Sequence, residues 1–93
     1  MPKVALTAPF VATAACPAGR KRLDYFDTHT RGLVLEVRES GGKTYYLRYQ
    51  DARGRTRQLK LADAGDVALG QARSLADKAR LRIAMGGDAV GTH

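Results

Sequence analysis

Leu33-Val34-Leu35-Glu36-Val37-Arg38, a Ser40-Gly41-Gly42 break, Lys43-Thr44-Tyr45-Tyr46-Leu47-Arg48-Tyr49, an Asp51-Ala52-Arg53-Gly54 break and Arg55-Thr56-Arg57-Gln58-Leu59-Lys60-Leu61 decide the fold. Apolar residues recur at every second position through these runs, the period of a strand with one buried face. The middle run is rich in aromatic and branched residues, which suit a pleated surface. Glycine in each break supplies turn conformations at little steric cost. A three-stranded antiparallel meander is predicted. Alternation assigns Leu33, Leu35, Val37, Tyr45, Leu47, Tyr49, Leu59 and Leu61 to the inner face. The outer face then carries Val34, Glu36, Arg38, Thr44, Tyr46, Arg48, Thr56, Gln58 and Lys60.

Downstream, the apolar period changes from two to 3.6. Leu69, Ala72, Ala76, Ala79 and Ile83 fall on one stripe of a helix predicted over Val67–Met85, with Asp66 as its N-cap. Arg73, Asp77, Lys78, Arg80 and Arg82 fall mostly toward solvent, and Gly86-Gly87 reads as the stop. The fold class is therefore α+β, with a three-stranded antiparallel sheet packed on one C-terminal helix. Upstream, Asp24-Tyr25-Phe26-Asp27 leaves room for a short extra edge strand, and Gly32 marks a turn. Residues 1–22 read as a leader that is partly disordered or lies across the domain. Residues 23–88 form the domain and 89–93 a tail.

A chain of 93 residues makes one domain, too small for a large enzyme with a deep pocket. Sixteen Lys and Arg oppose nine Asp and Glu, a net charge of +7. The excess is +3 over residues 1–32, +4 over 33–61 and zero over 62–93. That points to a polyanionic partner met by the first two thirds of the chain. Cys16 is the only cysteine, which excludes an internal disulfide or a Cys-based zinc site. His29 and His93 have no acidic or Cys partner at ligand spacing. Gly41-Gly42-Lys43-Thr44 precedes a strand, whereas a phosphate-binding loop must open a helix. No catalytic residue, metal, cofactor, small-molecule substrate or membrane is expected, and the expected compartment is the cytoplasm.

The outer face and its turns mix the side chains that duplex DNA recognition uses. Arginine pairs with guanine edges, glutamine with adenine, and lysine or threonine with phosphates. A sheet of this width enters a major groove. The candidate DNA-binding residues are Arg38, Lys43, Thr44, Tyr46, Arg48, Arg53, Arg55, Gln58 and Lys60, with Lys43, Arg53 and Arg55 flanking the groove from the turns. An antiparallel sheet also leaves one face in water as a matter of course, so the same residues fit a solvated surface. Arg20-Lys21-Arg22 fits a solvated basic cluster or a non-specific phosphate contact.

Phe26-Asp27, Arg31 to Val37, Ser40 to Tyr49, Gly54-Arg55 with Leu59-Lys60-Leu61, Leu69-Gly70-Gln71-Ala72-Arg73 through Ala79, and Ile83 to Asp88 together resemble the N-terminal domain of phage-type integrases, the tyrosine recombinases of prophages and genomic islands. The resemblance covers about residues 20–88. It implies an arm-type DNA-binding module that binds repeats away from the crossover site through its three-stranded sheet, in site-specific recombination, with other integrase subunits as further partners. Leu61-Ala62 stands where the family often has Leu-Gly, and Asp88-Ala89 where it often has Asp-Pro. The family's catalytic domain needs an Arg, a His-x-x-Arg and a nucleophilic Tyr; His29 is followed by Thr30, Arg31 and Gly32, which breaks that spacing. This piece is therefore expected to be non-enzymatic. A double-stranded RNA-binding module and an integrase subunit-interaction domain, meeting its neighbour through Tyr46 and Val34, are the alternatives.

Overall fold

The computed structural model of the protein describes residues 3–85. The glycine stop at Gly86-Gly87, the boundary at Asp88, the 89–93 tail and His93 lie outside the described residues. Along the chain come β1 (Lys3–Val4), α1 (Ala8–Thr13), β2 (Arg22–Asp27), β3 (Leu33–Arg38), β4 (Lys43–Gln50), β5 (Thr56–Asp63) and α2 (Leu69–Ala84). The predicted hairpins form, with Leu33 opposite Leu47, Leu35 opposite Tyr45 and Arg48 opposite Gln58.

The α+β class holds, but the sheet is larger than the three antiparallel strands predicted. It has five strands in the order β1-β2-β3-β4-β5 and is mixed, because β1 runs parallel to β2. The extra edge strand is the six-residue β2, antiparallel to β3. β1 has only two residues, too few for its alternation to be read from sequence. Its place is set by the anchoring side chains of the next segment. Leu6 is 2% exposed in the core, while Val4, Phe10, Val11, Ala14 and Cys16 pack against that core. Phe10 meets the Tyr25 ring edge-on, with centroids 5.1 Å apart. Lys43 donates from Nζ to the carbonyl oxygens of Val11 at 2.6 Å and Ala12 at 3.0 Å, satisfying carbonyls of the last turn of α1.

The inner face is as alternation assigned it. Leu33, Leu35, Val37, Tyr45 and Leu47 are buried, and Tyr49, Leu59 and Leu61 pack against them. The α2 stripe meets this face through Ala72, Ala76 and Ala79, all buried, with Leu69 and Ile83 half-buried beside them. Small alanine side chains let the helix lie close to the sheet, and each buried leucine of the face contributes roughly 1.5–3 kcal/mol.

At α2 the structure departs from the expected start and from one expected side-chain direction. The helix begins at Leu69 rather than Val67, and its N-cap is Ala68 rather than Asp66. β5 runs on to Asp63, so residues 64–68 are needed for the turn; Asp66 N–H closes that turn on Asp63 O at 2.9 Å, and Gln71 Oε1 accepts the Ala68 N–H at 2.8 Å. Arg73, assigned to solvent, instead turns to the sheet. It donates from Nε to Asp27 Oδ2 at 3.0 Å and from Nη2 to the Leu6 carbonyl at 2.8 Å. A buried carboxylate draws in a cation, because the attraction and hydrogen bonds of the pair offset a burial cost that an unpaired charge would bear alone.

Gly32 sets how closely the β2–β3 turn lies against β4. Its φ is +84°, and a Cβ there would stand 2.8 Å from the Arg48 carbonyl oxygen. Its own carbonyl accepts the Arg48 N–H at 2.8 Å. Gly32→Ala is expected to cost about 1–2 kcal/mol from the left-handed backbone alone. Urea unfolding followed by circular dichroism measures the loss; an unchanged midpoint would show that the turn relaxes freely.

Candidate nucleic-acid interface

The face turned away from the core is organised in rows across the strands. Register sets Arg22 beside Arg38, and Asp24 beside Glu36, Thr44 and Asp63. Next come Phe26, Val34, Tyr46 and Lys60, and then Arg48 beside Gln58. Val34 is fully buried although it is on this face, with Phe26 and Tyr46 as its cross-strand neighbours.

Asp63 joins this face because of a bulge. Thr44 and Tyr45 oppose Asp63 and Ala62, whereas Tyr46 opposes Lys60, so Leu61 is the extra residue of β5. Simple alternation would send Asp63 inward with Leu59 and Leu61. Instead it accepts from Thr44 Oγ1 at 3.2 Å and pairs with Lys60 at 3.4 Å.

The cations of the face are held by these carboxylates. Arg38 Nη1 donates to Glu36 Oε1 at 2.9 Å and to Thr44 Oγ1 at 2.8 Å, and Arg22 lies 3.7 Å from Glu36. Arg48 donates to Asp24 Oδ2 at 3.2 Å and to Gln58 Oε1 at 2.7 Å, and its guanidinium lies 5.0 Å from the Phe26 ring centre. The Arg48 side chain is 22% exposed and Asp24 11%. Such contacts fix the guanidinium plane in advance, which lowers the entropy lost when a planar partner is met.

Of the nine residues singled out from sequence, Arg38, Thr44, Tyr46, Arg48, Gln58 and Lys60 share this face, although Thr44 is buried. Arg53 and Arg55 lie in the β4–β5 turn. Lys43 stands apart: it pairs with Val37 on the inner side and holds α1.

The β4–β5 turn is built around Asp51. Its Oδ1 accepts the N–H groups of Arg53 at 2.9 Å and Arg55 at 3.0 Å, while Oδ2 meets Arg57 Nε at 3.0 Å. The Arg55 N–H, with the Arg57 guanidinium and the Arg53 N–H, holds this carboxyl below the usual range. Asp51 is thus ionised at neutral pH and fixes the turn, leaving the Arg53 and Arg55 side chains exposed.

Sequence reasoning missed two cations at this end of the sheet. Arg31, from the β2–β3 turn, and Arg80, from α2, line one cleft of about 440 Å³ together with Gly32, Arg48 and Thr56. Nothing in the local pattern joins them, since Arg80 belongs to the third of the chain that is neutral overall. Among the described residues, no three His, Cys, Asp or Glu are grouped to hold a metal, and no helix is long and apolar enough to cross a membrane.

No curated protein matches the chain. Residues 6–92 match the Arm DNA-binding domain family, so the match takes in the five-stranded sheet from β2 onward, the bulged β5 and α2. That family is a non-catalytic module that binds DNA. The sheet face turned away from the core, with its paired cations and carboxylates, thus occurs in a chain that belongs to the arm-type DNA-binding domains found in phage integrases.

Proposed function

We propose that this domain binds duplex DNA sequence-specifically at arm-type sites, as the N-terminal module of a phage-type integrase acting in site-specific recombination. The observation that carries the reading is the face of β2–β5 turned away from the core, on which Tyr46 stands opposite Lys60 and Arg48 opposite Gln58. Arg38, Arg48, Gln58 and Lys60 meet base edges, with Thr44 and Tyr46 supporting them, and Arg53 and Arg55 meet the flanking phosphates. Lys43 has no part in the contact, because its ammonium is already engaged with α1. The carboxylates of the face favour base pairs that present exocyclic amino groups, and they repel phosphate from its centre.

Fluorescence anisotropy over a salt series tests the reading with three probes: duplex repeats flanking the attachment site, a scrambled duplex, and an RNA duplex. Tighter binding to the repeats near physiological salt is expected. Equal and steeply salt-dependent binding to all three would reduce the role of the +7 charge to non-specific attraction. Changing Arg53 and Arg55 together to Ala is expected to lower the slope of log affinity against log salt by about 2, alike on repeat and scrambled DNA. An intact slope would move the phosphate path away from this turn.

A further inference from the structure

One end of the sheet carries cations that the proposed reading face does not absorb. In a meander the β2–β3 and β4–β5 turns lie at the same end of the sheet, and here they carry Arg31, Arg53 and Arg55. The last turns of α2 reach this end as well, because Arg80, Ile83 and Ala84 share a cleft with Arg31 and Thr56. A second cleft of about 520 Å³ continues past Arg31 and Gly32 to Thr28, Phe26 and Lys3. Arg31, Gly32 and Arg48 line both, so the two form one groove around the end of the sheet.

Among the described residues, the only carboxylate in either cleft lining is Asp27, which is buried and already neutralised by Arg73 at 3.0 Å. Arg31, Arg80 and Lys3 have no carboxylate partner among the described residues. This differs from the reading face, where Asp24, Glu36 and Asp63 engage Arg48, Arg38 and Lys60. Like charges brought together without counter-charges destabilise a fold unless an anion is met there. A groove lined by two unpaired guanidiniums suits phosphodiester oxygens, which arginine grips in a bidentate fashion.

We propose that this groove is a second contact for the sugar–phosphate backbone of the bound duplex, with Arg31 and Arg80 as its phosphate-gripping residues and Lys3 at its far end. The proposal rests on the DNA-binding reading of the sheet. It adds that the domain holds the duplex on two sides: the sheet face reads the groove, and the sheet's end grips a backbone that passes toward α2. Arg48 lies at the junction, where it lines the groove and belongs to the reading face. The contact is indifferent to sequence, so it adds affinity without adding discrimination.

The test is the double variant Arg31→Ala/Arg80→Ala, measured by anisotropy against the repeat and the scrambled duplex over a salt series. The expected result is a salt slope lower by about 2 on both duplexes, with their affinity ratio unchanged. Arg31→Lys/Arg80→Lys is expected to restore the slope, since it keeps both charges. Neither side chain makes an ion pair among the described residues, so the melting temperature is expected not to fall below the wild-type value, which separates a binding effect from misfolding. A preserved slope, or a loss confined to the repeat, overturns the groove contact. Should the wild type bind both duplexes equally while the double variant still loses slope, the groove stands and sequence-specific reading fails. Absence of binding by the wild type to either duplex overturns both.

Discussion

Arg73→Ala is expected to cost about 3–5 kcal/mol of folding stability, the usual loss when one partner of a buried ion pair is removed. Asp27 is the reason. Its side chain is 0% exposed, and it accepts from Arg73 and from the N–H groups of Leu6, His29 and Thr30 at 3.1–3.3 Å. Without Arg73 the carboxylate stays in the core with only backbone donors. A domain of this size has a total stability of about 5–14 kcal/mol, so the substitution removes from about a fifth of it to nearly all of it. The same guanidinium bonds the Leu6 carbonyl, so β1 and α1 are expected to detach together. Urea unfolding of the variant measures the loss. A midpoint equal to that of the wild type would show that the pair contributes nothing.

The pair also sets an acid limit. Burial pushes the Asp27 carboxyl up, but Arg73 and the N–H groups of His29 and Leu6 outweigh it and hold the group below the usual carboxylate range. The unfolded chain therefore takes up this proton first as pH falls. Stability from Asp27 is fully present above about pH 4 and is lost as pH falls through the lower, folded-state value. In Asp27→Asn, unfolding free energy is expected to vary less across that acid window, because the titrating group is gone.

The second large effect is on binding. Arg48→Ala is expected to weaken the repeat duplex by about 1–3 kcal/mol, roughly 5- to 150-fold, and to leave the scrambled duplex nearly unchanged. The guanidinium lies 5.0 Å from the Phe26 ring centre and is held by Asp24 and Gln58, and on the proposed reading it meets a guanine edge from there. Asp24 Oδ1 is buried without a donor, so losing Arg48 also removes compensation from that carboxylate. Arg48→Lys separates the two effects. It keeps a charge beside Asp24 but cannot form the bidentate fork, so it should preserve the melting temperature and still lose most of the repeat preference. Equal losses on both duplexes would make Arg48 a phosphate contact rather than a reader.

Much of this architecture is written in local pattern. Period-two runs over residues 33–61 and the Leu69–Ile83 stripe are properties of neighbouring positions, so both predict the two hairpins, the helix and the buried face. The outer face was legible for the same reason, and six of the nine candidate residues share it. Lys43 departs from the rest because whether a lysine at a strand's start meets solvent or a helix carbonyl depends on a segment 32 residues away.

By itself, then, the sequence determined the period, the class and the basic face, since each follows from residues close along the chain. Only the tertiary structure decided the rest. Asp27 and Arg73 are 46 residues apart, and the need to neutralise a buried carboxylate joins them, which no periodicity records. β1 exists because Leu6 enters the core, and two residues carry no alternation of their own. The bulge at Leu61 reverses the phase of β5 and brings Asp63 among the cations; one extra residue in a strand leaves no mark until its partner strand is present to set the register. Arg31 and Arg80 come to line one cleft only once the helix has packed across the sheet, because placement in space is something the chain order says nothing of.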